Sequence, residues 1–276
     1  MKQYYETIFV VLVYRNIDDL EDFLKRTKEK VANYKVIVVD AYYNNNISER
    51  IKQLADEYEC DYLCVENNGY SYGNNQGIKF AIENYEYGFI VISNPDILIE
   101  NYDDSNLSRK GITAPEIINA SGKHQNPMKP FHSYFSDKCC YVGFKKNSKF
   151  FLIIGRGVNK IYRWIWLFLH MINKKYKRIY AAHGSFLIIS SDALKKLGRN
   201  IFDEKMFLFS EEDVLACKAE MNQVIIEYND SISVLHKEDG SMKLGNISQS
   251  SENYKSYVYY YEKYVKGSKT KKKWGK

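Results

Sequence analysis

A proline and a carboxylate interrupt the apolar segment FIVISNPDILIE (residues 89–100), where a buried strand would otherwise continue. Pro95 has no backbone N–H to donate to a sheet, so the strand is expected to end there. Asp96 then lies at a strand end, and a carboxylate removed from water needs a partner such as a cation. The simpler interpretation is a turn between two strands, with Asp96 in water.

His236 closes a second apolar run, ISVLH (residues 232–236). A histidine that ends a strand is more often a hydrogen-bonding group than a metal ligand. Because Asp96 also ends a strand, the two side chains together favour an oxygen and nitrogen site for a divalent ion.

Three consecutive acids, Glu211, Glu212 and Asp213, begin a predicted helix in LFSEEDVLACK (residues 208–218). Acids in a first helical turn also complement the helix dipole, so the pattern alone does not require catalysis. Consecutive helical residues point in different directions, and at least one of the three is therefore expected to face inward over the edge of a sheet.

Two further segments have compositions suited to ligand binding. Asp40 ends the apolar run KVIVVD (residues 35–40), where an acid can bind a ribose hydroxyl or a base imide; a helix cap is the alternative. ENNGYSYGNNQGI (residues 66–78) has glycines four residues apart, which matches neither a P-loop nor a dinucleotide fingerprint. A nicotinamide enzyme would also carry glycines after the first strand, where this chain has YRNID.

The elements that position these residues follow from hydrophobic periodicity. Short apolar segments alternate with amphipathic helical segments along the first hundred residues, which predicts a parallel sheet covered on both faces. Ligands of such sheets bind at the carboxyl ends of the strands, where Asp40 and Asp96 lie. Strands are predicted at 8–14, 35–40, 62–66, 89–93, 184–190, 224–228 and 232–236. Helices are predicted after a cap at Asn16, from Ser48, around Ile78, between a cap at Ser191 and Gly198, and at 211–221.

Composition sets the compartment and the range of partners. A net charge of +6 permits a nucleic acid or an anionic membrane as partner but requires neither. The five cysteines lack zinc-site spacing, which favours reduced thiols in the cytoplasm. The first apolar run is too short for a signal peptide, and no segment is long and apolar enough to span a bilayer.

Eight segments between residues 5 and 241 combine these features in a characteristic order. They are VVLVYRN (10–16), KVIVVDAYYNNNISE (35–49), NNGYSYGNNQGI (67–78), ISNPDILI (92–99), TAPEIINASGKHQNP (113–127), HGSFLIISSDALKKLG (183–198), FDEKMFLFSEEDVLACK (202–218) and SVLHKEDGS (233–241). The chain thereby resembles the inverting family 2 glycosyltransferases of the GT-A fold, in particular bacterial rhamnosyltransferase-like enzymes that build surface polysaccharides.

The resemblance implies an α/β GT-A fold with a mostly parallel central sheet, helices on both faces and a C-terminal acceptor-side extension. The GT-A domain would cover residues 1–245. It would divide into a nucleotide-sugar-binding half (1–100) and an acceptor-side half (101–245) that contains a basic and aromatic insertion at 135–180. A C-terminal helix and a basic tail would occupy 246–276.

The resemblance also implies a donor site for a nucleotide-diphosphate sugar. Asp40 would contact the base, although Tyr43 and Asn45 stand where the family often has serine and aspartate, so the base stays open. Asn94 and Asp96 match the family's D-x-D motif, and Asp96 with His236 would hold a divalent Mn or Mg ion. The donor-binding positions carried over are Tyr14, Asp40, Asn68, Gly69, Gly73, Asn75, Asn94, Asp96 and Gly184.

By the same alignment Glu212 is the catalytic base and Glu211 its neighbour, while a shift of one residue would make Asp213 the base. The base would take a proton from an acceptor hydroxyl, which attacks the anomeric carbon from the opposite face and inverts its configuration. The implied acceptor is a polyprenol-linked saccharide in surface or capsular polysaccharide synthesis.

Residues 148–178 combine the apolar run WIWLFLHMI with flanking arginines and lysines. This composition suits a helix over about 158–173 that lies on an anionic bilayer, with tryptophans at the headgroup level. The basic tail KTKKKWGK would add to the attraction. The implied location is the cytoplasm, at the inner face of the plasma membrane. A core helix or a homodimer contact is the alternative.

Three other functions are considered. A sugar nucleotidyltransferase would need a glycine-rich basic loop after the first strand, which YRNIDD lacks. An RNA-binding module would expose stacking aromatics on its strands, whereas the strand aromatics here lie in apolar runs, so no nucleic-acid partner is expected. A family member that has lost activity remains an alternative because of Asn94, Tyr43 and Asn45.

Overall fold

The computed structural model describes residues 2–238 and 248–266 and has a mixed α/β architecture around one large sheet. The predicted basic tail beyond residue 266 lies outside the described residues. The strands are β1 (Gln3–Val13), β2 (Tyr34–Ala41), β3 (Asp61–Val65), β4 (Tyr85–Ser93), β5 (Ile97–Tyr102), β6 (Ile112–Asn119), β7 (Arg178–Ile179), β8 (Phe186–Ser190) and β9 (Ile226–His236). The helices are α1 (Ile17–Lys30), α2 (Asn45–Glu57), α3 (Tyr70–Asn84), α4 (Tyr134–Lys145), α5 (Lys149–Ile172), α6 (Ser191–Leu197), α7 (Glu211–Met221) and α8 (Gln249–Tyr260), which continues into a π-helical turn (Tyr261–Lys266).

Strands β3, β2, β1 and β4 form a parallel half-sheet, as the alternation of the first hundred residues predicts. The order across the sheet is β3-β2-β1-β4-β8-β6-β9-β5, and β7 pairs with β9. Strand β8 is antiparallel to both of its neighbours, and β5 is antiparallel to β9. The other strands in that order share one direction, so their carboxyl ends form a single edge.

Helices cover both faces of the sheet. On one face, α1 and α2 bury Leu20, Phe23 and Ile51 against the strands. On the other face, α3 and α7 bury Ile78 and Leu215, and α6 packs beside them. This two-sided cover confirms the predicted fold class. The apolar stripes at helical spacing, read from the sequence, are the surfaces that pack on the sheet.

Two helices begin earlier than predicted. The α2 helix starts at Asn45 rather than Ser48, because the Asn44 side chain accepts a hydrogen bond from the Ile47 amide. In α6 the cap is Ser190, whose hydroxyl accepts from the Ala193 amide, rather than Ser191. In both cases an Asn or Ser just upstream of the predicted residue takes the capping role.

The two late strands predicted at 224–228 and 232–236 form one strand, β9. Its register against β6 shifts between Pro115 and Glu116, where β9 passes from residue 229 to residue 233. An irregularity of this kind leaves residues unpaired inside a continuous strand, and the polar residues between the two apolar runs occupy it.

The insertion at 135–180 is a hairpin of two helices, α4 and α5. The α5 helix begins at Lys149, well before the predicted start near residue 158. A Cβ at Gly155 would overlap the Cys140 sulfur, so this glycine permits close contact between the two helices. Among the described residues no helix combines the length and the hydropathy needed to cross a membrane.

Candidate active site

Asp96 and His236 lie side by side at the carboxyl edge of the sheet. Strands β5 and β9 pair with Ile97 opposite His236, which brings the preceding Asp96 next to the histidine ring. Asp96 is 2% exposed, its Oδ1 has no hydrogen-bond partner, and its Oδ2 is 3.4 Å from His236 Nε2. A buried carboxylate oxygen without a partner is costly, so this site is suited to a cation.

This pair fits a divalent ion but does not complete its coordination. Two neighbouring ligands of an octahedral ion with bonds of about 2.1 Å stand about 3 Å apart, close to the observed separation of Asp96 and His236. In the part of the chain that the structure describes, no group of three or more His, Cys, Asp or Glu side chains could hold a metal. Further ligands would have to come from a bound diphosphate or from water.

The loop before β8 adjoins this pair and includes His183, which was not among the residues predicted for the site. The His183 and His236 rings lie 5.7 Å apart, and His183 Nδ1 is 2.9 Å from the Ser185 hydroxyl. Burial, and then the neighbouring His236, lower the pKa of His183 to about 4. His183 is therefore neutral at physiological pH. The backbone N–H of Asn94 contacts the same loop by donating to the Ser185 carbonyl at 2.9 Å.

Glu212 reaches the same loop from the first turn of α7. Its Oε1 accepts a hydrogen bond from the Gly184 amide at 3.2 Å. A Cβ at Gly184 would stand 2.7 Å from that oxygen, so a side chain at this position would displace the carboxylate. Glu212 is partly exposed, and burial of its carboxyl raises its pKa. A partly exposed carboxylate with a raised pKa is suited to accepting a proton near neutral pH.

The turn that begins α7 has an unusual backbone. Phe209 and Ser210 both have positive φ, 73° and 64°, which side chains other than glycine rarely adopt. Phe207, just before them, accepts a hydrogen bond from the Tyr70 amide at 2.8 Å. The strained turn is thus held against the start of α3, and it directs the following acids toward the sheet edge.

The three acids of α7 have different surroundings. Glu211 is 4% exposed with an unpartnered Oε1, and burial together with Glu212 raises its pKa well above the usual range. Asp213 is buried on another side of the helix, 2.7 Å from Lys129 Nζ, which also lies 3.1 Å from Asp137. Burial alone would lower the pKa of Lys129, but these carboxylates outweigh it and raise that pKa. Of the three, Glu212 alone reaches the loop beside Asp96.

The glycine-rich segment also lies at this edge, and packing explains its spacing. Gly69 has a φ of 95°, and a Cβ there would overlap the Phe207 carbonyl. A Cβ at Gly73 would overlap the Leu12 side chain, so α3 lies directly on β1.

Asn75 binds the backbone of Phe202 through both its amide nitrogen and its oxygen. Asn68 donates to Glu66 at the surface. The donor-binding roles of these residues stay predictions.

The carboxyl ends of β1 and β2 form a second part of the site. Asp40 is fully buried; its Oδ2 accepts from the Tyr62 hydroxyl at 2.7 Å, and its Oδ1 has no partner. The Tyr14 and Tyr43 rings meet edge-on at 5.9 Å, and the Arg15 guanidinium lies 4.1 Å from the centre of the Tyr43 ring. Aromatic faces beside an unpaired acceptor suit a nucleobase. Tyr62 was not expected from the sequence, because nothing in its strand marks it as polar-facing.

Comparisons with known proteins agree with this architecture. GalNAc-T7 with UDP, GalNAc and Mn2+ matches with a TM-score of 0.61 at 13% identity, over 94% of this chain and 48% of that one. S. aureus TarS in complex with UDP-GlcNAc matches with a TM-score of 0.53 at 15% identity, over 88% and 62%. The mannosyltransferase PcManGT from Pyrobaculum calidifontis, with GDP-Man and Mn2+, matches with a TM-score of 0.52 at 12% identity, over 94% and 71%.

One curated relative also matches in sequence, the low-salt glycan biosynthesis hexosyltransferase Agl10 from Haloferax volcanii. It is 22% identical over 238 residues, which are 83% of this chain and 66% of the relative. No protein-family model matches the chain. The chain thus has the GT-A fold of glycosyltransferases, as predicted, and it spans less than two thirds of the length of Agl10, GalNAc-T7 and TarS. The narrower assignment to the bacterial family 2 enzymes stays a prediction.

Proposed function

We propose that the protein is a glycosyltransferase that moves a sugar from a nucleotide-diphosphate donor to an acceptor hydroxyl with inversion. One observation carries the proposal: the loop at 183–185 contacts Glu212 through the Gly184 amide and contacts the Asp96–His236 pair through the His183 ring. A proton acceptor next to a cation-binding pair is the arrangement that an inverting displacement needs. The GT-A fold supports the same donor class, and so do the UDP, UDP-GlcNAc and GDP-Man bound to its structural neighbours.

The donor would lie along the carboxyl edge of the half-sheet β3-β2-β1-β4. Asp40 Oδ1 would accept an N–H from the base, while Tyr14 and Tyr43 would pack against its faces. The diphosphate would reach Asp96 and His236, with Asn94 beside them. Gly69, just before α3, would lie against the ribose or the sugar, and Gly73 would let α3 pack closely enough on β1 to position that turn.

A divalent ion, Mn or Mg, would be held by Asp96 and His236. When bound, such an ion offsets the negative charge that grows on a departing diphosphate. Glu212 would accept the proton of the acceptor hydroxyl, and its hydrogen bond from the Gly184 amide would hold the carboxylate in position. Glu211, buried beside it, would stay protonated and so avoid a second negative charge next to the base.

A thermal-shift screen tests the donor class directly. Uridine, guanosine, thymidine and cytidine diphosphates are added with and without Mn2+. At least one is expected to raise the melting temperature, and Mn2+ should increase that shift, because a ligand of the folded state alone stabilises it. Adenosine monophosphate is the control. The absence of any shift with all four diphosphates would contradict the proposed function.

The acceptor is proposed to be a lipid-linked saccharide, because α5 exposes a wide apolar face. Its exposed members are each at least 45% exposed: Phe150, Ile153, Ile161, Trp164, Ile165, Leu167, Phe168, Met171 and Ile172. Gly155, Trp166 and His170 are buried on the opposite side of the helix. Lys149, Arg156 and Lys160 follow one edge of the apolar face, and Lys174 and Lys175 come after its end. Apolar side chains bordered by cations suit an anionic bilayer.

This helix also adjoins the site. Arg163 Nη2 donates to the His124 carbonyl at 2.8 Å, and its charge contributes to the low pKa of His183. A bilayer under α5 would therefore lie next to the catalytic edge, where an acceptor anchored in lipid could be reached. Surface polysaccharide synthesis at the cytoplasmic face of the plasma membrane is the setting that this arrangement supports.

Binding to vesicles is expected to require anionic lipid and to weaken as salt rises, because each basic residue near the surface contributes about 1 kcal/mol. Replacing Trp164 and Phe168 with serine should reduce binding further, whereas Met221→Ser with Ile225→Ser, exposed on another surface, should not. Co-sedimentation with neutral and anionic vesicles measures the effect. Equal recovery in the soluble fraction with both vesicle types would leave a dimer contact as the explanation, which analytical ultracentrifugation then checks.

A further inference from the structure

We infer that Gln125 is a positioning residue that fixes the His236 ring with a bare Nε2 directed at Asp96. The inference rests on the proposed cation site and extends it to two residues that were not predicted as site residues. Gln125 Oε1 lies 2.8 Å from His236 Nδ1, and Gln125 Nε2 donates to Glu238 at 2.7 Å. Backbone N–H groups at Asn119 determine the direction of each hydrogen bond in the series from Asn119 to His236.

Its neighbours fix the orientation of the Asn119 side-chain amide. Its Oδ1 faces three donors: the amides of Ser121 and Lys123 and the hydroxyl of Ser121, at 3.2, 2.9 and 2.8 Å. An amide nitrogen in that position would meet two N–H groups that cannot accept a hydrogen bond, so the oxygen must be there. The Asn119 amide nitrogen therefore points the other way and donates to Glu238 Oε2 at 2.9 Å.

The Glu238 carboxylate accepts hydrogen bonds from both Asn119 and Gln125. An ionised carboxylate only accepts hydrogen bonds, so its Oε1 must face a donor as well. Gln125 supplies that donor with its amide nitrogen, which leaves Gln125 Oε1 directed at His236. An amide oxygen cannot donate, and His236 Nδ1 must consequently carry a proton.

The consequence for the site is a definite tautomer. The hydrogen bond to Gln125 fixes one proton on Nδ1, and in the tautomer that carries this proton alone Nε2 presents a free lone pair. That lone pair faces Asp96 Oδ2 at 3.4 Å, and Asp96 Oδ1 beside it also lacks a donor. Acceptors that converge in this way repel one another until a cation lies among them. Gln125 and Glu238 thus prepare the pair for metal binding without touching the metal.

Long-range 1H–15N correlation spectra of metal-free, 15N-histidine-labelled protein read the tautomer directly. The wild-type chain has five histidines, and the His236→Asn variant identifies the signals of the one at issue. The Nδ1–H form is expected in the wild type. In Gln125→Leu the ring should change to the Nε2–H form, because its Nδ1 partner is lost and Asp96 then accepts from Nε2. Gln53→Leu, exposed on α2, is the matched control.

Binding of Mn2+ alone, followed by electron paramagnetic resonance, gives the second readout. Gln125→Leu is expected to weaken it about 10- to 100-fold, the usual effect of losing a partner of a metal-binding histidine. The paired exchange Gln125→Glu with Glu238→Gln keeps every hydrogen-bond direction at His236 and should restore both the tautomer and the affinity. Gln125→Glu alone also offers Nδ1 an acceptor, but it places two carboxylates together and should not restore the contact with Glu238.

A wild-type ring with hydrogen on Nε2, as the Nε2–H tautomer or as the doubly protonated imidazolium, overturns the inference, and so does a Gln125→Leu variant that keeps both the Nδ1–H form and the Mn2+ affinity. An Nδ1–H form that depends on Gln125 supports the positioning role even where Mn2+ binds weakly. In that event only the metal dependence of the proposed function fails. If Gln125→Leu does not fold, the wild-type tautomer and the paired exchange still decide.

Discussion

Glu212→Gln is expected to bind nucleoside diphosphates with unchanged affinity and to lose two or more orders of magnitude in turnover, about the usual contribution of a general base. The amide oxygen of the new side chain can still accept from the Gly184 amide, so the loop at 183–185 keeps its contact. What is lost is the capacity to take a proton. Turnover is measured as release of nucleoside diphosphate from the donor that the thermal-shift screen selects.

Variants of the neighbouring acids separate catalysis from stability. Asp213→Asn removes one of the two carboxylates that face the buried Lys129 and leaves Asp137 as its charged partner, so the unfolding free energy should fall by less than the roughly 3–5 kcal/mol that breaking a whole buried ion pair costs. Its main effect should therefore be a lower melting temperature. Glu220→Gln, exposed at the other end of the same helix, is the matched control. A fully folded Glu211→Gln or Asp213→Asn variant with no turnover, beside an active Glu212→Gln, would assign the base to another residue.

Asp96→Ala is expected to abolish the Mn2+-dependent part of nucleoside diphosphate binding while the protein stays folded. Asp96 Oδ1 has no partner within the described chain, so its removal breaks no hydrogen bond that the fold needs. The backbone carbonyl of Asp96, which accepts from the Lys237 amide, is retained. Isothermal titration with and without Mn2+ measures the loss.

Asp192→Ala is the control, because Asp192 is a surface carboxylate that pairs with Lys195 and has no role in the proposed site. It should leave the response to Mn2+ unchanged. Metal-dependent affinity that persists in Asp96→Ala would contradict the metal role of Asp96.

Several features of the fold follow from the order of residues alone. Apolar runs of β-branched residues between amphipathic helices require a parallel sheet with both faces covered, and such a sheet has one carboxyl edge. Because Pro95 cannot continue the ladder, Asp96 had to appear at that edge. Each of these conclusions depends on local rules of periodicity and hydrogen bonding, which is why they could be reached without coordinates.

Other features depend on contacts between distant segments. Strand β8 inserts antiparallel beside β4, and only this pairing carries Gly184 to Glu212. The four-residue glycine spacing, ambiguous in the sequence, is explained by the contact of α3 with β1.

The different roles of the α7 acids were equally out of reach of periodicity. A one-residue step rotates a side chain by about 100° around a helix, and the packing of α7 decides which acid meets Lys129 and which meets the loop. His183 and Gln125 lie in loops, where no repeating pattern marks a polar residue as functional. Their roles come from hydrogen-bond direction, which is determined only when donors and acceptors from separate strands are brought together in three dimensions.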